Sequence, residues 1–132
     1  MMNFTETMLS KEVWKDVVIE QDGVKYDFSK LYQVSNLGRV KSVRNNIILK
    51  QSKTHNGYLR VSLYKNGERL NCRVQRLVAF AFIDIPTGTD VNKLDVNHIN
   101  EDKEDNRLEN LEWCTTQYNN EYSHGIKIQQ YT

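Results

Sequence analysis

The segment from Tyr58 to Val74 constrains the fold more than any other. Tyr58-Leu59-Arg60-Val61-Ser62-Leu63-Tyr64-Lys65 alternates apolar and polar, with Leu59, Val61 and Leu63 on one face. Asn66-Gly67 follows, the dipeptide that best tolerates the two positive φ angles of a type I′ turn. Beyond it Leu70, Cys72 and Val74 alternate with Arg69, Asn71 and Arg73. The pattern predicts an antiparallel hairpin with one greasy side and one arginine-bearing side. The next run, Gln75 to Ile83, is apolar nearly all round and predicts a short, largely buried helix. A strand pair leading into a helix places the chain in the α+β class.

A second, smaller hairpin is predicted upstream. Leu31 to Ser35 and Arg39 to Val43 alternate around Asn36-Leu37-Gly38, where Gly38 supplies a positive φ. Residues 1–10 read as a frayed leader, and Trp14 as a core anchor. Residues 84–94 read as a polar loop, followed by two short extended segments marked by Val96, Ile99, Leu108, Leu111 and Trp113. Thr115 is a suitable cap for a final helix running to about Ser123 and ended by Gly125. The organisation expected is two small pieces, residues 10–53 and 54–126, sharing one core or lying side by side.

Composition excludes several classes. The 132 residues are 39% hydrophobic and 27% charged, with six Gly and one Pro. That is neither collagen-like nor broadly disordered, and it suffices for a modest core. There is no apolar run of membrane-spanning length and no apolar signal core at the start, so no membrane is expected as a partner. Cys72 and Cys114 lie far apart without a C-x-x-C, so no structural zinc is expected, and reduced thiols in a cytoplasmic protein are the natural reading. The formal net charge is only +1, yet residues 29–76 hold eleven basic side chains against the single acid Glu68. Residues 84–112 hold nine acids against three bases. Such segregation favours a positive face that attracts a polyanion.

The chemistry concentrates around His98. It sits in Val96-Asn97-His98-Ile99-Asn100, with Asn110 twelve residues on and Asn119 twenty-one. If the two extended segments pair and a helix packs beneath them, an imidazole base meets amide oxygens from Asn97 and Asn119, with Asn110 pinning the loop. Hard oxygen donors beside a general base suit metal-assisted phosphodiester hydrolysis. The acids Glu101, Asp102, Glu104 and Asp105 lack EF-hand spacing and read as a solvated turn. His55 and His124 read as structural, although His124 lies late enough to reach a metal. Trp113 reads as core.

The stretch V-N-H-I-N…D-N-R-L-E-N-L-E-W-C-T-T-Q-Y-N-N resembles the HNH endonucleases of the ββα-metal fold, in their phage and intron homing-type branch. R-V-Q-R-L-V-A-F-A-F-I is similar to that branch's lead-in helix. W-K-D…L-Y-Q-V-S-N-L-G-R-V-K-S resembles the nuclease-associated module that precedes it. The resemblance covers roughly residues 12 to 125. It implies an N-terminal β-hairpin module that contacts DNA, followed by a ββα-metal nuclease domain. His98 then takes the place of the general base, Asn110 that of the loop-holding and base-orienting asparagine, and Asn97 and Asn119 those of the metal ligands. One divalent ion is implied, Mg²⁺ first and Mn²⁺ second.

Three departures from the family pattern stand out. Asn97 is neutral where a carboxylate is frequent, which weakens attraction for the ion unless Asp95 on the same strand face compensates. Gln75 stands where a His often precedes Arg-Leu-Val. The sequence ends at Thr132, where larger relatives carry a helix-turn-helix, so the basic 29–76 region is expected to read DNA. The candidate DNA contacts are Arg39, Lys41, Arg44, Arg60, Arg69 and Arg73. Asn106 and Arg107 read as loop chemistry, with Arg107 alternatively holding the scissile phosphate. The expected function is a divalent-metal-dependent DNA endonuclease, a monomer or weak homodimer nicking one strand of a duplex per chain. The alternatives are a nuclease-derived DNA-binding module whose metal site has decayed, and a nonspecific toxin nuclease.

Overall fold

The computed structural model describes residues 3–116. Thr5 caps a short helix α1 (Glu6–Ser10), its Oγ1 accepting from Met8 N at 3.1 Å. A cap therefore orders part of what reads as a frayed leader. Strands β1 (Trp14–Asp16), β4 (Tyr32–Ser35), β5 (Val40–Ser42) and β6 (Ile47–Ile48) form one antiparallel sheet in the order β1-β4-β5-β6. The predicted β4–β5 hairpin is present, with Val34 opposite Val40, and Gly38 has φ +84°.

A further hairpin, β2 (Val18–Gln21) and β3 (Val24–Asp27), occupies what reads as an acidic, polar stretch. Its turn is Asp22-Gly23, with φ 52° and 78°. Ile19 is buried beneath it, while Val24 and Lys25 face solvent. The outgoing strand Val18-Ile19-Glu20-Gln21 does not alternate, which hides the pair although Val24-Lys25-Tyr26-Asp27 does.

The hairpin that anchors the sequence reading is β8 (Leu59–Lys65) with β9 (Glu68–Arg73), turned at Asn66-Gly67 with φ 53° and 80°. Leu59, Val61, Leu63 and Cys72 are buried, and Arg60, Arg69 and Arg73 are exposed. Strand β7 (Ser52–Lys53) pairs with β8 across the expected boundary at 53/54. Helix α2 (Val74–Phe82) follows directly, burying Val74, Leu77, Val78 and Ala79. It packs against β2 and β4 from the first part of the chain and against β8, β9, β10 (Leu94–His98) and β11 (Leu111–Thr115) from the second. One apolar cluster results, running from Val17 and Val34 through Leu63 and Leu77 to Val96 and Trp113. The two pieces share one core.

Trp113 is buried as expected, meeting Phe80 edge-on at 5.1 Å and donating Nε1–H to the Ile83 carbonyl. Trp14 is only half-buried, because it serves as a platform for Arg39 and Lys41 at 5.5 and 4.3 Å from the ring centroid. Among the described residues, no helix is long and apolar enough to cross a membrane. The expected final helix lies outside them, with Asn119, His124 and Gly125.

Both cysteines are free and buried. Burial pushes the Cys72 thiol up to about 12. Burial, followed by the charges of Asp95 and Glu112, pushes Cys114 up to about 12 as well. Reaction with a thiol reagent requires the thiolate. Both thiols should therefore react slowly with an aromatic disulfide at pH 8 in the native protein and promptly in guanidinium. Prompt labelling of the native chain would contradict this packing.

Candidate active site

β10 and β11 pair antiparallel, with Leu94 opposite Thr115, Asn97 opposite Glu112 and His98 opposite Leu111. The loop between them is held by one side chain. Asn110 Oδ1 accepts from Asn100 N at 2.9 Å, and its Nδ2 donates to Asn100 Oδ1 and to the Asp105 carbonyl at 2.9 and 2.8 Å. Ile99 N adds a bond to the Asn110 carbonyl at 2.8 Å. Asn110 is buried, so these bonds are shielded from competing water.

His98, also buried, caps the end of β10. Its Nε2 lies 2.7 Å from Asn106 Oδ1. The imidazole's own hydrogen bond therefore goes to Asn106 and not to Asn110, which holds the loop around it. Asn106 is the residue that sequence reasoning passed over as loop chemistry. Its position eight residues after the histidine carries no periodic signal, and only closure of the loop brings the two together.

Burial pulls the His98 pKa below its ordinary value, outweighing the hydrogen bond to Asn106 and the charges of Asp102 and Asp105. The ring is accordingly neutral at physiological pH, the form that accepts a proton. Tyr58 stacks obliquely on it at 5.9 Å, and Arg73 and Lys103 lie over the Tyr58 ring at 4.6 and 5.0 Å.

Asn97 is buried, and its Nδ2 donates to Glu112 Oε1 at 2.9 Å. This leaves the amide oxygen, a hard donor, as the atom Asn97 offers a cation. The carboxylate nearest to it is thus Glu112 on the paired strand. Asp95 sits opposite Cys114, two pairs further along the ladder. An amide oxygen beside a carboxylate fits Mg²⁺ or Mn²⁺, which prefer oxygen ligands. Asn119 lies outside the described residues.

Two candidate phosphate contacts have internal partners. Arg39 binds Glu12 in a fork, Nε to Oε2 at 2.9 Å and Nη2 to Oε1. Arg107 forks onto Asp105, with Nε to Oδ1 and Nη2 to Oδ2 both at 2.8 Å, and reaches Glu109 at 3.4 Å. Asp105 is 1% exposed, so it is no member of a solvated turn. Hydrogen bonds from Arg107 hold its carboxyl below the ordinary range despite burial. Glu101 and Asp102 are exposed as expected, and Glu104 is half-buried and paired with Lys53 at 2.9 Å. Lys41 rests half-buried on Trp14, whereas Arg44, Arg60, Arg69 and Arg73 are exposed. His55 is exposed in a turn.

Comparison with known proteins gives a consistent picture. Residues 12–64 match the NUMOD4 motif, and residues 85–121 match the HNH endonuclease family. Two uncharacterized HNH endonucleases of Acanthamoeba polyphaga mimivirus are 43% identical over 109 residues and 36% over 100. Those matches span 82% and 76% of this chain but 25% and 29% of the relatives. DNA endonuclease I-HmuI of Bacillus phage SP01 is 34% identical over 114 residues, 85% of this chain and 59% of that protein. A solved structure described as DNA binding and cleavage by the HNH homing endonuclease I-HmuI superposes with a TM-score of 0.67 at 33% identity. It covers 89% of this chain and 62% of that one. The chain thus spans between a quarter and three-fifths of the length of these relatives.

The Arg39 fork makes a separable prediction. Burial pushes the Glu12 carboxyl up, but hydrogen bonds from Arg39 and Ser35 and the charges of Arg39 and Lys41 outweigh it and hold the pKa low. The stabilisation is complete above the ordinary carboxylate range and is lost as pH falls through the depressed folded value. Glu12→Gln should cost about 1–2 kcal/mol at pH 7, and the difference should vanish in acid. Arg39→Ala should likewise act on stability. Arg60→Ala or Arg73→Ala should instead lower the salt slope of DNA binding by about 1 each. A full unit lost from the salt slope in Arg39→Ala, with unchanged stability, would reverse this assignment.

Proposed function

The chain belongs to the HNH endonucleases, with an N-terminal NUMOD4 motif and the α+β fold of I-HmuI, and from that premise we propose that it is a divalent-metal-dependent DNA endonuclease. The observation that carries the reading is a buried, neutral imidazole fixed at the end of β10 beside oxygen donors on the neighbouring residue and its cross-strand partner.

When bound, the ion supplies charge that polarises the phosphate and stabilises the departing 3′ oxygen. Asn97 and Asn119 would hold it, with the Glu112 carboxylate beside Asn97. His98 takes a proton from the attacking water at Nδ1, because Nε2–H is engaged by Asn106. The imidazole then carries the charge, and the nearby Asp102 and Asp105 carboxylates favour that form. The departing 3′ oxygen takes its proton from solvent, so the products are a 3′-hydroxyl and a 5′-phosphate. Lys41, Arg44, Arg60, Arg69 and Arg73 position the duplex by its phosphates. One site per chain nicks one strand, and cutting both takes a second visit or a second chain.

A second reading has its own observation. Asn97 is neutral and is bonded to Glu112, so a site that no longer retains the ion would leave a DNA-binding module. Cleavage separates the two. Supercoiled plasmid and phage genomic DNA incubated with Mg²⁺ or Mn²⁺ should convert to open circles and fragments with 5′-phosphate ends. EDTA should stop the conversion. Intact substrates in both metals, with salt-sensitive binding retained, would replace the nuclease with the binding module.

A further inference from the structure

The N-terminal hairpin reaches the nuclease site through its turn. Gly38 sits so close to Asn106 that a β-carbon built on it would lie 2.9 Å from both the Cβ and the carbonyl oxygen of Asn106. It would lie 3.1 Å from the carbonyl carbon as well. Beside this contact Leu108 N donates to the Asn36 carbonyl at 2.8 Å. The turn itself is stiff. Ser35 Oγ accepts from Leu37 N and Arg39 N, Ser35 N donates to the Arg39 carbonyl, and Gln51 Nε2 donates to the Gly38 carbonyl at 2.8 Å. The segment it presses on carries the side chain that meets His98 Nε2.

We propose that the Ser35–Arg39 turn is a positioning element of the nuclease site: Gly38 sets Asn106, and Asn106 sets the tautomer and orientation of the His98 ring. The inference rests on the reading of His98 as general base. An amide oxygen facing Nε2 requires the proton on Nε2, which leaves the accepting lone pair on Nδ1. Reversing the amide would put the proton on Nδ1 and remove the base. Asn106 Nδ2 is buried without a hydrogen-bond partner among the described residues. Hydrogen bonding at Nδ2 therefore does not fix the amide. Its placement comes from the backbone of residues 106–108, and that backbone abuts Gly38. Any side chain at position 38 displaces Asn106, and a displacement of tenths of an ångström is felt across a 2.7 Å bond.

The test compares two glycines in the full chain. Gly38 and Gly23 have φ +84° and +78°, but nothing lies within 4 Å of a β-carbon at Gly23. Gly23→Ala therefore carries the same backbone strain without the contact. Asn106→Leu removes the acceptor at similar volume, and Asn106→Asp retains it. The imidazole ¹⁵N and ¹³C signals of His98, identified by their loss in His98→Ala, report the tautomer in metal-free protein. Single-turnover cleavage and DNA affinity are measured alongside.

Wild type, Gly23→Ala and Asn106→Asp should show the Nε2–H tautomer alone. Gly38→Ala and Asn106→Leu should show both tautomers, with single-turnover cleavage down about tenfold or more and DNA affinity within about twofold. A folded Gly38→Ala with the signals of Gly23→Ala overturns the proposal. If Gly38→Ala does not fold, an unchanged tautomer in Asn106→Leu overturns it. A wild type that cuts no DNA refutes the nuclease reading alone, because the tautomer comparison still decides the positioning role.

Discussion

The site depends on the clamp that Asn110 places across the loop between β10 and β11. That loop is crowded with acids, and left to itself it would splay into solvent. Two bonds to Asn100 and one to the Asp105 carbonyl close it from inside. Arg107 neutralises Asp105 and approaches Glu109, while Lys53 meets Glu104. Closure carries Asn106 over the end of β10, and only then does the histidine acquire a hydrogen-bond partner. A buried polar network of this kind stabilises little unless every member is satisfied. Its main effect is to allow the loop a single arrangement.

The same logic links the two ends of the chain. Helix α2 buries its apolar face against strands from both, so the N-terminal sheet and the β10–β11 hairpin cannot move independently without opening one core. The acidic loop also meets the basic region directly, through Lys53 on Glu104 and the contact of Gly38 with Asn106. Charge segregation along the sequence thus becomes partial neutralisation in space. Arg44, Arg60, Arg69 and Arg73 are among the basic residues that remain exposed.

Much of this was legible beforehand, and the rest was hidden for identifiable reasons. The Asn66-Gly67 hairpin and α2 were readable because turn chemistry and burial pattern agree there. The β2–β3 hairpin is harder to see although Asp22-Gly23 is an equally good turn and Val24-Lys25-Tyr26-Asp27 alternates, because Val18-Ile19-Glu20-Gln21 on the other strand does not. Motif spacing singles out Asn97, His98 and Asn110 as candidates. It does not single out Asn106, Glu112 or the Gly38 contact, since each acquires meaning only from a partner distant in sequence. Composition counts the charges of Arg39 and Arg107 without revealing that a carboxylate already faces each. Asp105 was read as solvated for the same reason.

The central claim is that the imidazole of His98 takes the proton from the attacking water. Single-turnover cleavage by His98→Ala, with and without added imidazole, tests it most directly. The account predicts a rate lower by about 10²–10⁴, an unchanged affinity for DNA, and partial recovery as imidazole is added. A His98→Ala protein that cuts within a few-fold of the wild-type rate would contradict it.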